Sequence, residues 1–247
     1  MDMAEQEIAK HTKKVVQLMG KSEHGWRHKL AEMGLEIVTI VFAVSLSIWL
    51  HSLGEHRHEQ QQVRAFLLGV RHDIGSDLDM IKELNQAYHG YDANFDYLGK
   101  LDPRSAPDPQ TFAAAYERAD HNYYFNPLVS RYQGFKSSGK LGHIENEALL
   151  EKILALYERN TAAIKSSEAG WRNNQEIFRA YMENGMTGDG DIAERYRLIT
   201  SPKGKRLLRK QITFPQLYDR YNDYAALGAE IIKEIEHEYP EAAQQKK

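Results

Sequence analysis

The sequence predicts an all-α protein: a single N-terminal transmembrane helix continues into a long amphipathic helix, which packs in a helical bundle. One apolar segment stands out in a chain whose mean hydropathy over all residues is −0.62. After it, apolar residues recur every three or four positions from Val63 to Leu98, as on one face of a helix. No stretch alternates between apolar and polar residues for long enough to demand a β-sheet.

Composition limits the protein to a few classes. With 247 residues, of which 27% are charged and 10% aromatic, the chain can form one or two folded domains. It has no cysteine, which excludes disulfides, thiolate metal sites and cysteine nucleophiles. A net charge of −3 gives no argument for nucleic acid as a partner. We expect neither nucleic acid nor a cofactor.

Residues 1–33 form the first predicted element, an amphipathic helix on the cytoplasmic side. Apolar positions such as Ile8, Val15 and Trp26 share one face, and lysines and glutamates fill the other. This helix would lie on the inner leaflet or pack against copies of itself.

Residues 34–54 form the predicted transmembrane helix. No residue from Ile37 to Leu50 is charged, and the whole segment has about the 20 residues that a 30 Å hydrocarbon core requires. Trp26 and Trp49 stand where interfacial aromatic residues are common. The alternatives are a buried helix of a soluble protein and a cleaved signal peptide, although the preceding region is longer than a secretory n-region.

The charges beside this segment predict its orientation. Basic residues are more frequent before the segment than within a comparable distance after it, which favours a cytoplasmic N-terminus and a periplasmic C-terminal domain at a bacterial inner membrane. The residues before it are Lys10, Lys13, Lys14, Lys21, Arg27 and Lys29, and those after it are Arg57, Arg64 and Arg71.

One face of the transmembrane helix predicts self-association. At 100° per residue this self-association face contains Glu36, Thr39, Ala43, Ser47, His51 and Gly54. Ala43 and Ser47 form a small-xxx-small pair, which lets helices approach closely in lipid, and an ionisable Glu36 favours a protein neighbour. Alternatively, Glu36 reaches the headgroups, or Glu36 and His51 line the lumen of a channel.

Residues 55–100 are predicted to continue the helix as a stalk. Its apolar stripe needs a covering surface, either from the C-terminal helices or from another protomer. Where the transmembrane helix meets the stalk, one side of the helix carries His51, Glu55, His58, Glu59 and Gln62. Histidine and carboxylate at i and i+4 can bind a divalent metal, although isolated residues on a solvated stalk look the same.

The predicted helical ectodomain covers residues 101–240, followed by a flexible tail at 241–247. Prolines mark a loop at 101–110, and Asn146 is a candidate N-cap for a helix that reaches about Tyr181. Three glycines end that helix within 185–190. A short helix over 192–199 follows, and Pro215 begins the last helix.

Two segments of the ectodomain are candidate binding sites. A possible anion or ligand loop contains Arg131, Lys136, Ser137, Ser138, Gly139 and Lys140. Its alternative is a structural turn in which Tyr132 and Phe135 enter the core. A possible site for an acidic partner or anionic lipid contains Lys203, Lys205, Arg206, Arg209 and Lys210. Its alternative is a solvated helix face.

Two stretches carry a resemblance to a known family. They are "GLEIVTIVFAVSLSIWLHSLGEHRHEQQQVRAFLLGVRHDIGSDLDMIKEL", at 34–84, and "YQGFKSSGKLGHIENEALLEKILALYE", at 132–158. They resemble a bacterial family of uncharacterised single-pass inner-membrane proteins with a Leu-Glu-Ile-Val-type span entry and a Ser-Ser-Gly-Lys-Leu turn. The chain departs from that pattern in its long N-terminal extension and its His-rich span exit. The resemblance implies a single-pass topology and a helical ectodomain, and it implies no activity.

No nucleophile elbow, HExxH motif or paired carboxylates predict catalysis. We therefore expect a non-catalytic, self-associating membrane protein that acts as a scaffold or partner-binding module, with the bilayer and other membrane proteins as partners. The alternatives are a sensor or accessory subunit that binds a small ligand or anion, and a channel component.

Overall fold

The computed structural model describes residues 25–105, 107–119 and 123–241, with side chains from Leu30 onward. Every regular element in these ranges is helical, and they contain no β-strand. The predicted all-α class is confirmed. The predicted N-terminal helix over 1–33 lies outside the described residues, apart from its last turns, and so does the tail beyond Glu241.

The longest element is helix α1, Gly25–Lys100, which runs through the apolar segment and the predicted stalk without a break. The helix continues through Gly54, although glycine weakens a helix interior. The chain divides into two structural units between Glu59 and Gln60.

In the first unit, the apolar residues of α1 from Leu30 to Leu50 are exposed. The stretch beginning at Leu30 contains a window of mean hydropathy 2.0, none of which is buried by the rest of the protein. This helix is long and apolar enough to span a membrane. A core helix of a soluble protein would instead be largely covered, so the exposure argues against that alternative.

The second unit is a bundle built on residues 60–100 of α1. Its other helices are α2 (Pro109–Arg118), α3 (Ser130–Ser137), α4 (Glu147–Leu154), α5 (Thr161–Gly185), α6 (Ile192–Thr200), α7 (Pro202–Arg209) and α8 (Pro215–Glu238). A 3₁₀ turn covers Lys140–His143, and a π turn, Ala155–Asn160, joins α4 to α5.

Helix starts in the bundle follow local chemistry. Asp108, Asn146, Asp191 and Ser201 each accept a backbone N–H from three residues further along the chain. Proline occupies the first position of α2, α7 and α8, where its missing N–H has no partner to lose. The predicted cap at Asn146 and the predicted start at Pro215 are both confirmed.

The stripe on α1 is covered by helices of the same chain. Gly228 of α8 approaches α1 so closely that an added Cβ would lie 3.0 Å from Ile74 Cγ2. At the centre, Tyr88 of α1 packs against Trp171 of α5 and Tyr221 of α8, with ring centroids 5.0 and 6.0 Å away. Nearly all of the predicted stripe is buried, and only Leu78 is half-buried. Of the two surfaces predicted to cover the apolar stripe, the structure shows the C-terminal helices of the same chain.

Candidate functional site

Helix α7 carries a cluster of basic residues at the surface of the bundle. Ser201 Oγ accepts the Gly204 N–H at 2.9 Å and starts the helix, whose Gly204, Leu207 and Leu208 are buried. The predicted basic residues lie on the helix and at its C-cap, Lys210: Lys203, Arg206, Arg209 and Lys210 are exposed, and Lys205 is half-buried. We call these five residues the α7 basic face.

No residue of the α7 basic face forms an ion pair within 4 Å of a carboxylate in the described ranges. Lys203 lies over the Tyr181 ring, 5.0 Å from its centroid, and this is a contact within the fold. Elsewhere in the bundle, some cations are paired across helices: Arg71 with Glu236 at 2.5 Å, and Lys152 with Glu234 at 2.9 Å. The α7 basic face therefore concentrates positive charge that forms no close ion pair within the described residues, although hydrogen bonds from Arg104 and then the charge of Lys205 lower the pKa of Asp102.

A shallow depression of about 460 Å³ borders this face. Lys203 and Leu207 of α7 form one side, and α5 forms the other with Ile177, Ala180 and Tyr181. Ile177 is an apolar side chain left 45% exposed. Positive charge beside exposed apolar surface suits a partner that has both carboxylates and an apolar side chain.

The predicted anion loop has a different environment. Arg131 Nε donates to Asp73 Oδ2 at 2.9 Å, and Lys136 Nζ donates to Glu158 Oε1 at 2.6 Å. Tyr132 is buried, and Phe135 stacks on Phe66 with centroids 4.0 Å apart. These contacts favour the structural-turn interpretation.

The remaining loop residues complete that turn. Gly139 has a φ of +74°, which favours glycine, and Ser138 Oγ donates to the Phe135 carbonyl. Ser137 and Lys140 form no ion pair or side-chain hydrogen bond with the described part of the chain, so Lys140 is the loop's one cation not already bound to a carboxylate there.

All six residues of the self-association face are exposed along α1. Thr39 Oγ1 donates to the Leu35 carbonyl at 2.8 Å, which satisfies its hydroxyl within the helix. His51 Nε2 lies 3.3 Å from Glu55 Oε1, and both side chains are largely exposed. Within 25–105, 107–119 and 123–241, no group of three or more His, Asp or Glu side chains is arranged to hold a metal ion.

Sequence reasoning gave no role to two buried carboxylates, Asp77 on α1 and Glu168 on α5. Asp77 is fully buried and accepts the Leu128 N–H at 3.0 Å and the Tyr224 hydroxyl at 2.8 Å. Glu168 is 3% exposed and accepts through Oε1 the Phe125 N–H at 2.7 Å and the Tyr221 hydroxyl at 2.6 Å.

These two carboxylates therefore hold the extended segment 123–129 against the helices. Each binds one backbone N–H of that segment and one tyrosine of α8. Burial raises the pKa of both Asp77 and Glu168, and the hydrogen bonds oppose that shift. The sequence does contain a signal for these buried carboxylates, since each acid interrupts an apolar helical stripe at a core position.

Beside Asp77, the π turn contributes a buried tyrosine. The Tyr157 hydroxyl has no hydrogen-bond partner in the described residues, and its ring stacks on Tyr132 at 4.6 Å. Burial, and then the negative charges of Asp77 and Asp73, raise the pKa of Tyr157. With Asp77 inaccessible and both its oxygens bonded, this arrangement stabilises the fold and offers no reactive group to a substrate.

The comparisons with known proteins do not add an identity. No protein-family model matches the chain, and neither a curated protein nor a solved structure gives a significant match to it.

Proposed function

We propose that the protein is a non-catalytic, single-pass membrane protein whose helical bundle binds an acidic partner. The observation that carries the proposal is the contrast within α1. Its apolar stretch from Leu30 is uncovered, whereas its stripe from Val63 to Leu98 is covered by the chain's own helices. A bilayer is the solvent that such an uncovered stretch fits.

The proposed location is a bacterial inner membrane, with the N-terminus in the cytoplasm and the bundle in the periplasm. The excess of basic residues before the apolar segment supports this orientation. Membership of the bacterial family that residues 34–84 and 132–158 resemble is part of the proposal, and it implies the same topology.

The partner surface we propose is the α7 basic face with its apolar depression. It supplies five cations that form no ion pair within 4 Å in the described residues, and it lies next to the exposed Ile177. Charge complementarity of this kind steers association and weakens as salt rises.

Charge reversal tests this surface. We expect the triple variant Lys203→Glu, Arg206→Glu, Arg209→Glu to lose binding of poly-L-glutamate in low salt. The matched control, Lys82→Glu, Lys165→Glu, Lys233→Glu, makes the same change in net charge at exposed positions elsewhere on the bundle. Equal loss in both variants would show a general charge effect and refute the site. Binding to anionic lipid vesicles in place of the polypeptide would identify a lipid-binding surface instead.

Self-association through the self-association face is the second part of the proposal. Glu36 and the small residues Ala43 and Ser47 support it. The test is the mass of the full chain in mild detergent, measured by native mass spectrometry. We expect a defined oligomer that Ser47→Leu or Glu36→Leu dissociates. A monomeric wild-type chain, or an oligomer unchanged by both substitutions, would refute it.

A further inference from the structure

The loop that joins α5 to α6, residues 186–191, places negative charge next to an exposed apolar side chain. Asp189 and Asp191 are exposed, and so is Ile192, the first residue of α6. Asp189 forms no ion pair or side-chain hydrogen bond with the described part of the chain. We call Asp189, Asp191 and Ile192 the α6 acidic edge.

Contacts within the chain hold this loop in place. Glu194 Oε1 accepts both the N–H and the hydroxyl of Thr187, each at 2.6 Å, and Asp191 Oδ1 accepts the Glu194 N–H at 2.8 Å. Gly190 is buried with a φ of +67°, a backbone conformation that favours glycine. A loop fixed in this way loses little conformational entropy when it binds a partner.

The α6 acidic edge adjoins the depression beside the α7 basic face. Gly185, at the end of α5, lines that depression, and its carbonyl accepts a hydrogen bond from Arg197 of α6 at 3.2 Å. Arg197 in turn lines the hollow that contains the two aspartates of the acidic edge, and its charge also attracts Glu194. One surface of the bundle therefore carries a basic patch and an acidic patch side by side, each with one exposed isoleucine.

Two neighbouring patches of opposite charge can pair reciprocally between two copies of a chain. In a twofold contact the same surface of both copies meets, so the basic patch of each copy faces the acidic patch of the other. The depression beside the α7 basic face suits a partner that has both carboxylates and an apolar side chain. The α6 acidic edge of a second copy has both, in Asp189 and Asp191 with Ile192.

We propose that the acidic partner of the α7 basic face is a second copy of this chain, whose α6 acidic edge enters the depression beside Ile177. The proposal rests on the α7 basic face being the partner surface, and it adds the identity of the partner. A contact made by one loop and one shallow depression is small, so it is weak and leaves isolated bundles monomeric in dilute solution. Copies held in one bilayer meet at a higher effective concentration, at which such a contact forms.

Cross-linking between copies tests this contact in the full chain, reconstituted in phosphatidylcholine vesicles. Because the chain has no cysteine, one population can carry Asn184→Cys in the depression, and a second, with a different tag, can carry Ala193→Cys beside the acidic edge. Both positions are exposed. We expect a short bis-maleimide to link the two populations.

Ser137→Cys in place of Ala193→Cys is the control for random collisions. Helix α3, which carries Ser137, stacks its Phe135 on Phe66 of α1. Helix α6 instead donates a tyrosine hydroxyl to the Asp102 carbonyl, just beyond the end of α1. These two places are about 50 Å apart along α1 at 1.5 Å per residue, so Ser137→Cys should give only background cross-linking.

Charge reversal tests which side chains form the contact. Introducing Lys203→Glu and Arg206→Glu into the Asn184→Cys population should lower the yield of cross-linked product about fivefold, because like charges then meet. Asp189→Lys in the Ala193→Cys population should lower it similarly. Combining the two reversed populations should restore the yield, since opposite charges face each other again. Restoration also shows that the substituted chains are folded.

Three results would overturn the proposal: a yield no higher than that of the Ser137→Cys control, a yield that neither reversal changes, or a loss that the combined reversals do not restore. If any of them occurs while the α7 basic face still binds poly-L-glutamate, the proposed function stands and its acidic partner is a different protein. Loss of poly-L-glutamate binding as well would refute the partner surface itself.

Discussion

Asp77 is an ionisable residue at the centre of an apolar helix face, and its two donors explain why that position is tolerated. Replacing it with alanine would leave the Leu128 N–H and the Tyr224 hydroxyl buried without an acceptor. Each unpaired group destabilises the fold by about 1–3 kcal/mol, so Asp77→Ala should lower the free energy of unfolding by about 3 kcal/mol.

Asp79, two residues along α1 and exposed, supplies the control. Asp79→Ala should change stability by no more than about 0.5 kcal/mol. Urea titration of the full chain in mild detergent, monitored by near-UV circular dichroism, measures the free energy of unfolding of both variants. Equal effects of the two substitutions would show that the hydrogen bonds of Asp77 do not stabilise the bundle.

Burial of Asp77 also predicts a pH dependence. Its pKa is raised above the usual 3.8, with desolvation as the main cause, so the folded state holds this proton at pH values where the unfolded chain has released it. The stability that the residue contributes therefore falls as pH rises through the interval above 3.8.

Asp77→Asn, which does not titrate, exposes that dependence. The free energy of unfolding of the wild-type chain minus that of Asp77→Asn should increase as pH falls from neutral toward the usual carboxyl pKa of 3.8. Denaturant titrations of both proteins at several pH values measure the difference. A difference that shrinks on acidification would mean that the carboxylate is stabilised in the folded state, as in an ion pair.

At the scale of single helices, the contact between α6 and α7 depends on one glycine. A Cβ on Gly204 would overlap the carbonyl oxygens of Leu198 and Ile199, which are backbone atoms and cannot rotate away. Gly204→Ala should therefore destabilise the bundle by about 1–3 kcal/mol.

Gly75→Ala is the matched substitution, because an added Cβ at Gly75 of α1 meets no atom within 4 Å. It should leave stability unchanged or raise it by up to about 1 kcal/mol, since alanine favours the helix. Thermal denaturation of the two variants compares them directly. Tolerance of Gly204→Ala would show that α6 and α7 can separate.

Elements whose causes are local could be predicted from the sequence. The stripe from Val63 to Leu98, the cap at Asn146 and the start at Pro215 each follow from neighbouring residues, and each is confirmed. The π turn at Ala155–Asn160 was not predicted, because a single inserted residue leaves a long helical stripe almost unchanged.

Pairings between distant parts of the chain were beyond sequence reasoning. Arg131 and Lys136 looked available for an anion, yet their carboxylates come from α1 and the π turn, 58 and 22 residues away in the chain. The same applies to Gln211, whose buried Oε1 receives no hydrogen bond from the described residues. By contrast, four of the five residues of the α7 basic face are exposed, which the alternative of a solvated helix face also predicts.

For the whole molecule, the second unit should fold without the first. Its stripe on α1 is covered by α5 and α8, and no apolar residue of 30–50 belongs to its core. A fragment of residues 60–241 should be soluble without detergent, monomeric by light scattering, and helical with a cooperative thermal transition. Aggregation of this fragment would show that the bundle needs residues before Gln60 to cover its surface.

The proposed single-pass topology is tested most directly by asking whether the two flanks of the apolar stretch of α1 lie on opposite sides of a membrane. The chain has no cysteine, so single cysteines introduced at Ser22 and at the exposed Ser137 can be labelled with a membrane-impermeant maleimide. With a cytoplasmic N-terminus and a periplasmic bundle, we expect Ser137→Cys to be labelled in intact cells and Ser22→Cys to be labelled only after lysis. Identical labelling of both positions in intact cells, or a chain found in the soluble fraction, would contradict it.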